Sequence, residues 1–103
     1  SGPIRLVQAM AGNALIEGFE IRQTAAAPTR VGDLEVQLIA EYRGAALLGK
    51  SIKLTNRGRK ALSINERDIA PKDTLAVSIA APSLAPNAST TAYVVGINPE
   101  GQP

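Results

Sequence analysis

Two charged clusters in this chain carry side chains capable of chemistry. Asn56-Arg57-Gly58-Arg59-Lys60 is a basic run broken by turn-favouring residues. Such a finger can hold phosphate oxygens of nucleic acid or of anionic lipid headgroups. Glu66-Arg67-Asp68 brings two carboxylates close together, as a general acid and base or a hard-cation site would require. Each cluster also has a plainer reading. No aromatic residue interleaves the basic run to stack bases, so it reads first as the solvated tip of a hairpin. Arg67, standing between two carboxylates, reads first as their partner in a structural ion-pair corner. Ser89-Thr90-Thr91 offers hydroxyls, but there is no His to activate one, and Thr90 and Thr91 fit the start of a strand.

The 103 residues include neither His nor Cys. Disulfides, thiol catalysis and thiolate metal sites are thereby excluded, and no His switch operates between about pH 5 and 8. Lacking a base of suitable pKa and a phosphate-cradling loop, the chain is expected to be no enzyme, to hold no metal and to use no cofactor. Eleven Lys and Arg against nine Asp and Glu leave a net charge of +2, too small a surplus to mark a nucleic-acid binder. No apolar run approaches the roughly 18 residues of a membrane-spanning helix. The chain opens Ser1-Gly2-Pro3 without an initiator Met, as expected of a processed protein or of a domain excised from a longer one.

The elements that must position these clusters are short. Pro3 to Ala11 reads as a helix, capped by Ser1 or Gly2 and stopped at Gly12-Asn13, with Ile4, Val7 and Ala11 on one face. Ala14 to Thr24 turns extended, with Phe19 and Ile21 inward, and Ala25 to Asp33 reads as a loop ending in a turn. Leu34, Val36, Leu38 and Tyr42 alternate with Glu35, Gln37 and Glu41, the pattern of a strand buried on one face; Ile39 breaks the phase. Leu48, Ile52 and Leu54 make the next strand. A tight turn at Asn56-Arg57-Gly58-Arg59 then leads to Leu62 and Ile64. Leu75, Val77 and Ile79 form another strand, and Tyr93, Val95 and Ile97 the last.

The fold class is therefore all-β with a short N-terminal helix: an antiparallel, immunoglobulin-like β-sandwich of about 6–7 strands. A small, partly open barrel is the alternative. Residues 1–97 are expected to form one domain and 98–103 a disordered tail. Only Phe19, Tyr42 and Tyr93 are aromatic, so the core is expected to be small and aliphatic. Sheet edges and the apolar residues that break alternation, Ile39, Leu47 and Val94, are left to meet a covering layer, either the helix or another subunit.

The stretches LTNRGRKALSINERDI and TLAVSIAAPSLAPNASTTAYVV resemble the C-terminal domain of TraK-like proteins, the secretin-like outer subunits of F-type conjugative type IV secretion systems. The shared pattern is a strand ending in Asn, a basic turn, a strand ending near Glu-Arg-Asp, an apolar strand, a Leu-x-Pro turn and a Thr-x-Tyr-Val-Val strand. IRLVQAMAGN and Gly18-Phe19 are similar to the family's opening helix and Gly-aromatic step. After Asp68 the chain departs from the pattern: Ile69-Ala70 stands where an aromatic is frequent. The resemblance implies a structural scaffold in a periplasmic, outer-membrane-associated core complex. It would form a ring with copies of itself, a TraV-like lipoprotein and a TraB-like channel subunit, without touching DNA. Ile39, Tyr42, Leu47, Arg57, Arg59 and Val94 are the candidate partner-binding residues. The competing expectation is an extracellular β-sandwich module recognising carbohydrate or protein, for which Tyr42 and Tyr93 would have to lie side by side on an exposed face. Weak anion binding through Arg57, Arg59 and Lys60 is a third.

Overall fold

The computed structural model describes residues 1–101. Its first element is the helix α1 (Gly2–Ala11), where the Ser1 hydroxyl accepts from the Ile4 N–H at 3.4 Å and Pro3 occupies the first turn, where no N–H is needed. Ten residues are too few for a helix to persist alone; α1 is held by burial of Leu6 and Met10 against the sheet.

Eight strands follow: β1 (Glu20–Gln23), β2 (Thr29–Val31), β3 (Leu34–Arg43), β4 (Leu47–Asn56), β5 (Leu62–Ser63), β6 (Ala76–Ile79), β7 (Ser83–Leu84) and β8 (Ser89–Ile97), with a one-turn helix α2 (Glu66–Ile69) after β5. The main sheet is antiparallel in the order β1-β3-β4-β8-β6, and β2 lies end to end with β1 along the outside of β3. β5 and β7 pair as a separate ribbon. The fold is thus a β-sandwich of very unequal layers with a helix added. β2 arises within the expected loop because Gly32, at φ 61°, turns the chain back so that Val31 pairs with Leu34.

The phase break at Ile39 has a definite structural meaning. The β3–β4 register runs Leu38↔Ile52 and then Ala40↔Ser51, so Ile39 is an extra residue, a β-bulge. Because side chains alternate with period two, one inserted residue exchanges the faces. Leu34 and Val36 pack with Leu54, Ile64, Leu84 and Ala92 beneath the β5–β7 ribbon. Beyond the bulge, Tyr42 packs with Leu6, Met10 and Val95 beneath α1 on the opposite face. The single buried face expected of this strand is therefore two half-faces. The molecule has two small cores, on opposite sides of one sheet and offset along its strands.

The β4–β5 connection also differs from expectation. It is not a tight hairpin: β5 pairs with β7, and neither Asn56 nor Gly58 takes a positive φ. The chain instead crosses from one layer to the other, and Asn56, fully buried, pins the crossing. Its Nδ2 donates to the Lys60 carbonyl at 2.8 Å and the Leu84 carbonyl at 3.0 Å, while its Oδ1 accepts from the Gly58 N–H at 2.9 Å. Its backbone N–H donates to Ala88 at 3.0 Å, and its carbonyl accepts from the Asn87 N–H at 2.7 Å. A buried amide this fully partnered orders both layers around it.

The tail expected to fray from Asn98 begins instead in a docked turn. The Asn98 N–H donates to the Ala46 carbonyl at 2.9 Å and its side-chain amide to the Gly44 carbonyl at 2.8 Å. Residues 102 and 103 of that tail lie outside the described residues. Gly2 also lies beside Leu47, so both ends meet at the β3–β4 turn.

Candidate partner-docking surfaces

The two charged clusters are placed apart, and the fold absorbs part of each. In the basic run Asn56 is buried as above, and Arg57 Nε donates to Glu35 Oε2 at 2.7 Å. That hydrogen bond holds the Glu35 carboxyl below its ordinary value of 4.5 and raises the Arg57 guanidinium. Arg59 and Lys60 are exposed and make no ion pair among the described residues, so the five-residue finger contributes two cations to the surface. Glu66, Arg67 and Asp68 form the exposed turn α2, where Asn65 Oδ1 accepts from the Arg67 N–H at 3.1 Å. The ion-pair corner expected here is not formed among the described residues; the carboxylates instead stand in the first turn of a capped helix, where negative charge is favoured. No third carboxylate joins them among those residues.

Thr90 and Thr91 lie at the start of β8, as expected, directly after Ser89, and the Ser89 and Thr90 hydroxyls are engaged. Ser89 Oγ lies 2.7 Å from Thr55 Oγ1, and Thr90 Oγ1 accepts from the Ala81 N–H at 2.8 Å.

The six candidate contact residues do not form one patch. Tyr42 is 3% exposed beneath α1, its hydroxyl donating to the Ala14 carbonyl at 3.4 Å. Leu47 is half-buried against the same core, and Ile39 is half-buried at the bulge near Met10 and Tyr93. Val94 is buried on the opposite face. Arg57 and Arg59 are at the far end of β4 from Leu47. Tyr42 and Tyr93 share the α1 side, separated by β4, but with Tyr42 buried they make no exposed aromatic platform.

A surface to which Val94 alone of the six candidates contributes lies on the face opposite α1. The β5–β7 ribbon and α2 cover only half of that face. The remaining half is a groove of about 310 Å³ between the sheet and the segment after α2, with Leu48, Ile52, Val94, Ile69 and Pro71 as apolar walls and Lys50 and Asp73 as charges. Its residues come from three separate stretches of chain, so only the tertiary fold brings them together. Towards β3 the same face becomes charged: Arg43 lies 3.5 Å from both Glu41 and Glu100.

The main sheet has two outer edges of different character. The β1–β2 edge carries Glu20, Arg22 and Arg30, with Pro28 just before β2; Arg22 and Glu20 pair at 3.2 Å across exposed side chains. The β6 edge lies within Thr74-Leu75-Ala76-Val77-Ser78-Ile79-Ala80-Ala81, with neither charge nor proline. No helix is long and apolar enough to cross a membrane among the described residues.

Comparison with known families matches the model described as the TraK C-terminal domain over residues 3–96. No curated protein matches the chain.

Proposed function

From the premise that the chain belongs to the TraK C-terminal domain family, and so to a conjugation-related secretion protein, we propose that it is a non-catalytic scaffold domain of an outer-membrane core complex. In this reading the domain sits in the periplasm, next to the outer membrane, and serves DNA transfer without binding DNA. Its partners are a TraV-like lipoprotein, a TraB-like channel subunit and neighbouring copies of itself in a ring. The family match carries the reading. The half-covered sheet supports it, because an apolar groove rimmed by charge is a surface that another chain can complete.

Lipoprotein contact is by an added strand or by a segment laid in a groove. Peptides covering the TraV-like lipoprotein of the same operon are titrated into the domain, and backbone amide shifts are followed by NMR. Localised shifts with at least one peptide are expected. Absence of any localised shift at millimolar peptide would sink the proposal.

A further inference from the structure

We infer that the free edge of β6 accepts an extended apolar strand from another protein, antiparallel to β6 and ending in acidic residues. This deepens the assembly reading and rests on it.

Hydrogen-bond parity shows which groups are free. Ala80 donates to the Thr91 carbonyl at 3.0 Å in the same register that pairs Ser78 with Tyr93 and Ala76 with Val95. In an antiparallel ladder such bonded pairs alternate with non-bonded ones. The N–H and C=O groups of Val77 and Ile79 therefore point away from β8, and none is paired among the described residues. Leu75 also donates to the Val95 carbonyl, at 2.8 Å, so a bulge ends the ladder at that side.

An outer strand in a free-standing domain is usually guarded by Lys, Pro or inward charge, because bare edges recruit other strands. Strands β1 and β2 themselves carry Glu20, Arg22 and Arg30, whereas Ala76–Ile79 of β6 carries neither charge nor proline. Four outward backbone groups in a row select an extended backbone, and Val77 and Ile79 on one face select apolar side chains beside them.

The occupant's charge follows from the trough at the N-terminal end of β6. Arg67, Lys72 and Glu66 line it together with Ala70, Pro71 and Leu75. Two cations against one carboxylate leave the lining one positive charge in surplus, and among the described residues neither cation is in an ion pair. A strand running antiparallel to β6 brings its C-terminal end there, which places acidic residues at that end. A second copy of this chain is a poorer occupant, because its own β6 runs on into Ala80-Ala81-Pro82-Ser83 and brings no acidic residue to the trough.

The test uses a probe octapeptide of alternating valine and threonine with two C-terminal glutamates, titrated into the domain with NMR detection. Downfield shifts and slowed hydrogen exchange at the Val77 and Ile79 amides are expected. A peptide with its glutamates moved to the N-terminus binds more weakly. Val77→Pro removes an outward N–H that no ladder bond uses, and abolishes binding. Should that variant misfold, the exposed pair Arg67→Glu and Lys72→Glu still decides, lowering affinity roughly tenfold. Shifts confined to the β1–β2 edge, no shift at all, indifference to charge reversal, or self-association through β6 without peptide would each overturn the proposal. If TraV-like peptides move Leu48 and Val94 but leave Val77 and Ile79 unmoved, the edge assignment falls while the scaffold reading stands.

Discussion

Two residues show how position decides what a polar group does. Asn56 and Arg57 are neighbours in the run that reads as a phosphate-binding finger, yet one is sealed inside and the other is tied to a carboxylate. Replacing Asn56 with Ala leaves the Lys60 and Leu84 carbonyls without their donor in a buried corner. The expected loss of stability is about 3 kcal/mol, read from urea unfolding. Glu35 gives a pH prediction. Its folded-state pKa is depressed by Arg57, so its stabilising effect is present above the unfolded value of 4.5 and is lost as pH falls through the lower folded value. Arg57 is exposed and Glu35 half-buried at the surface, so salt screens the pair. Unfolding midpoints measured from pH 6 down to pH 3 should fall for the wild-type chain. Glu35→Gln should flatten part of that fall, and added salt should shrink the difference.

Among the elements, α1 and β3 carry the two tightest requirements. α1 sits directly on β4 at Gly49, where a Cβ would come within 2.8 Å of Met10 Sδ and 3.1 Å of Leu6 Cδ2. Gly49→Val is expected to cost about 2 kcal/mol by prying the helix from the sheet. Met10→Ala in the same chain should return part of that loss, a coupling measurable by a double-mutant cycle. Deleting Ile39 would remove the bulge and turn Ala40 and Tyr42 to the opposite side of the sheet. The expected loss is at least about 3 kcal/mol, seen as a collapse of the denaturation midpoint. The helix, the long strands and their antiparallel pairing were legible in the sequence, because amphipathic period and turn residues are local signals. The reach of the bulge was only half legible. Ile39 announced a broken phase, but alternation cannot say whether an extra apolar residue is a surface exception or a change of side. The β5–β7 pairing was hidden because two-residue strands have no period. The groove was hidden because its walls meet only after the chain has crossed layers at Asn56.

At the scale of the whole molecule, the two cores share the central strands β3, β4 and β8, while α1 and the β5–β7 ribbon each hold to one end. Native-state hydrogen exchange should therefore be slowest in β4 and β8, at the global unfolding energy. It should be faster by local opening in the two-residue ribbon, as mass-resolved or NMR exchange will show. Uniform protection across β4 and β5 would contradict this. The meeting of Gly2 and Asn98 at the β3–β4 turn has a mechanical corollary. Any polypeptide continuing from either end departs from that one pole, so a pull between the two acts beside the Leu47–Ile97 end of the β4–β8 ladder. The unit would hang like a pendant from its clasp, with Arg59 and Lys60 swinging at the far tip, roughly 30 Å away along β4.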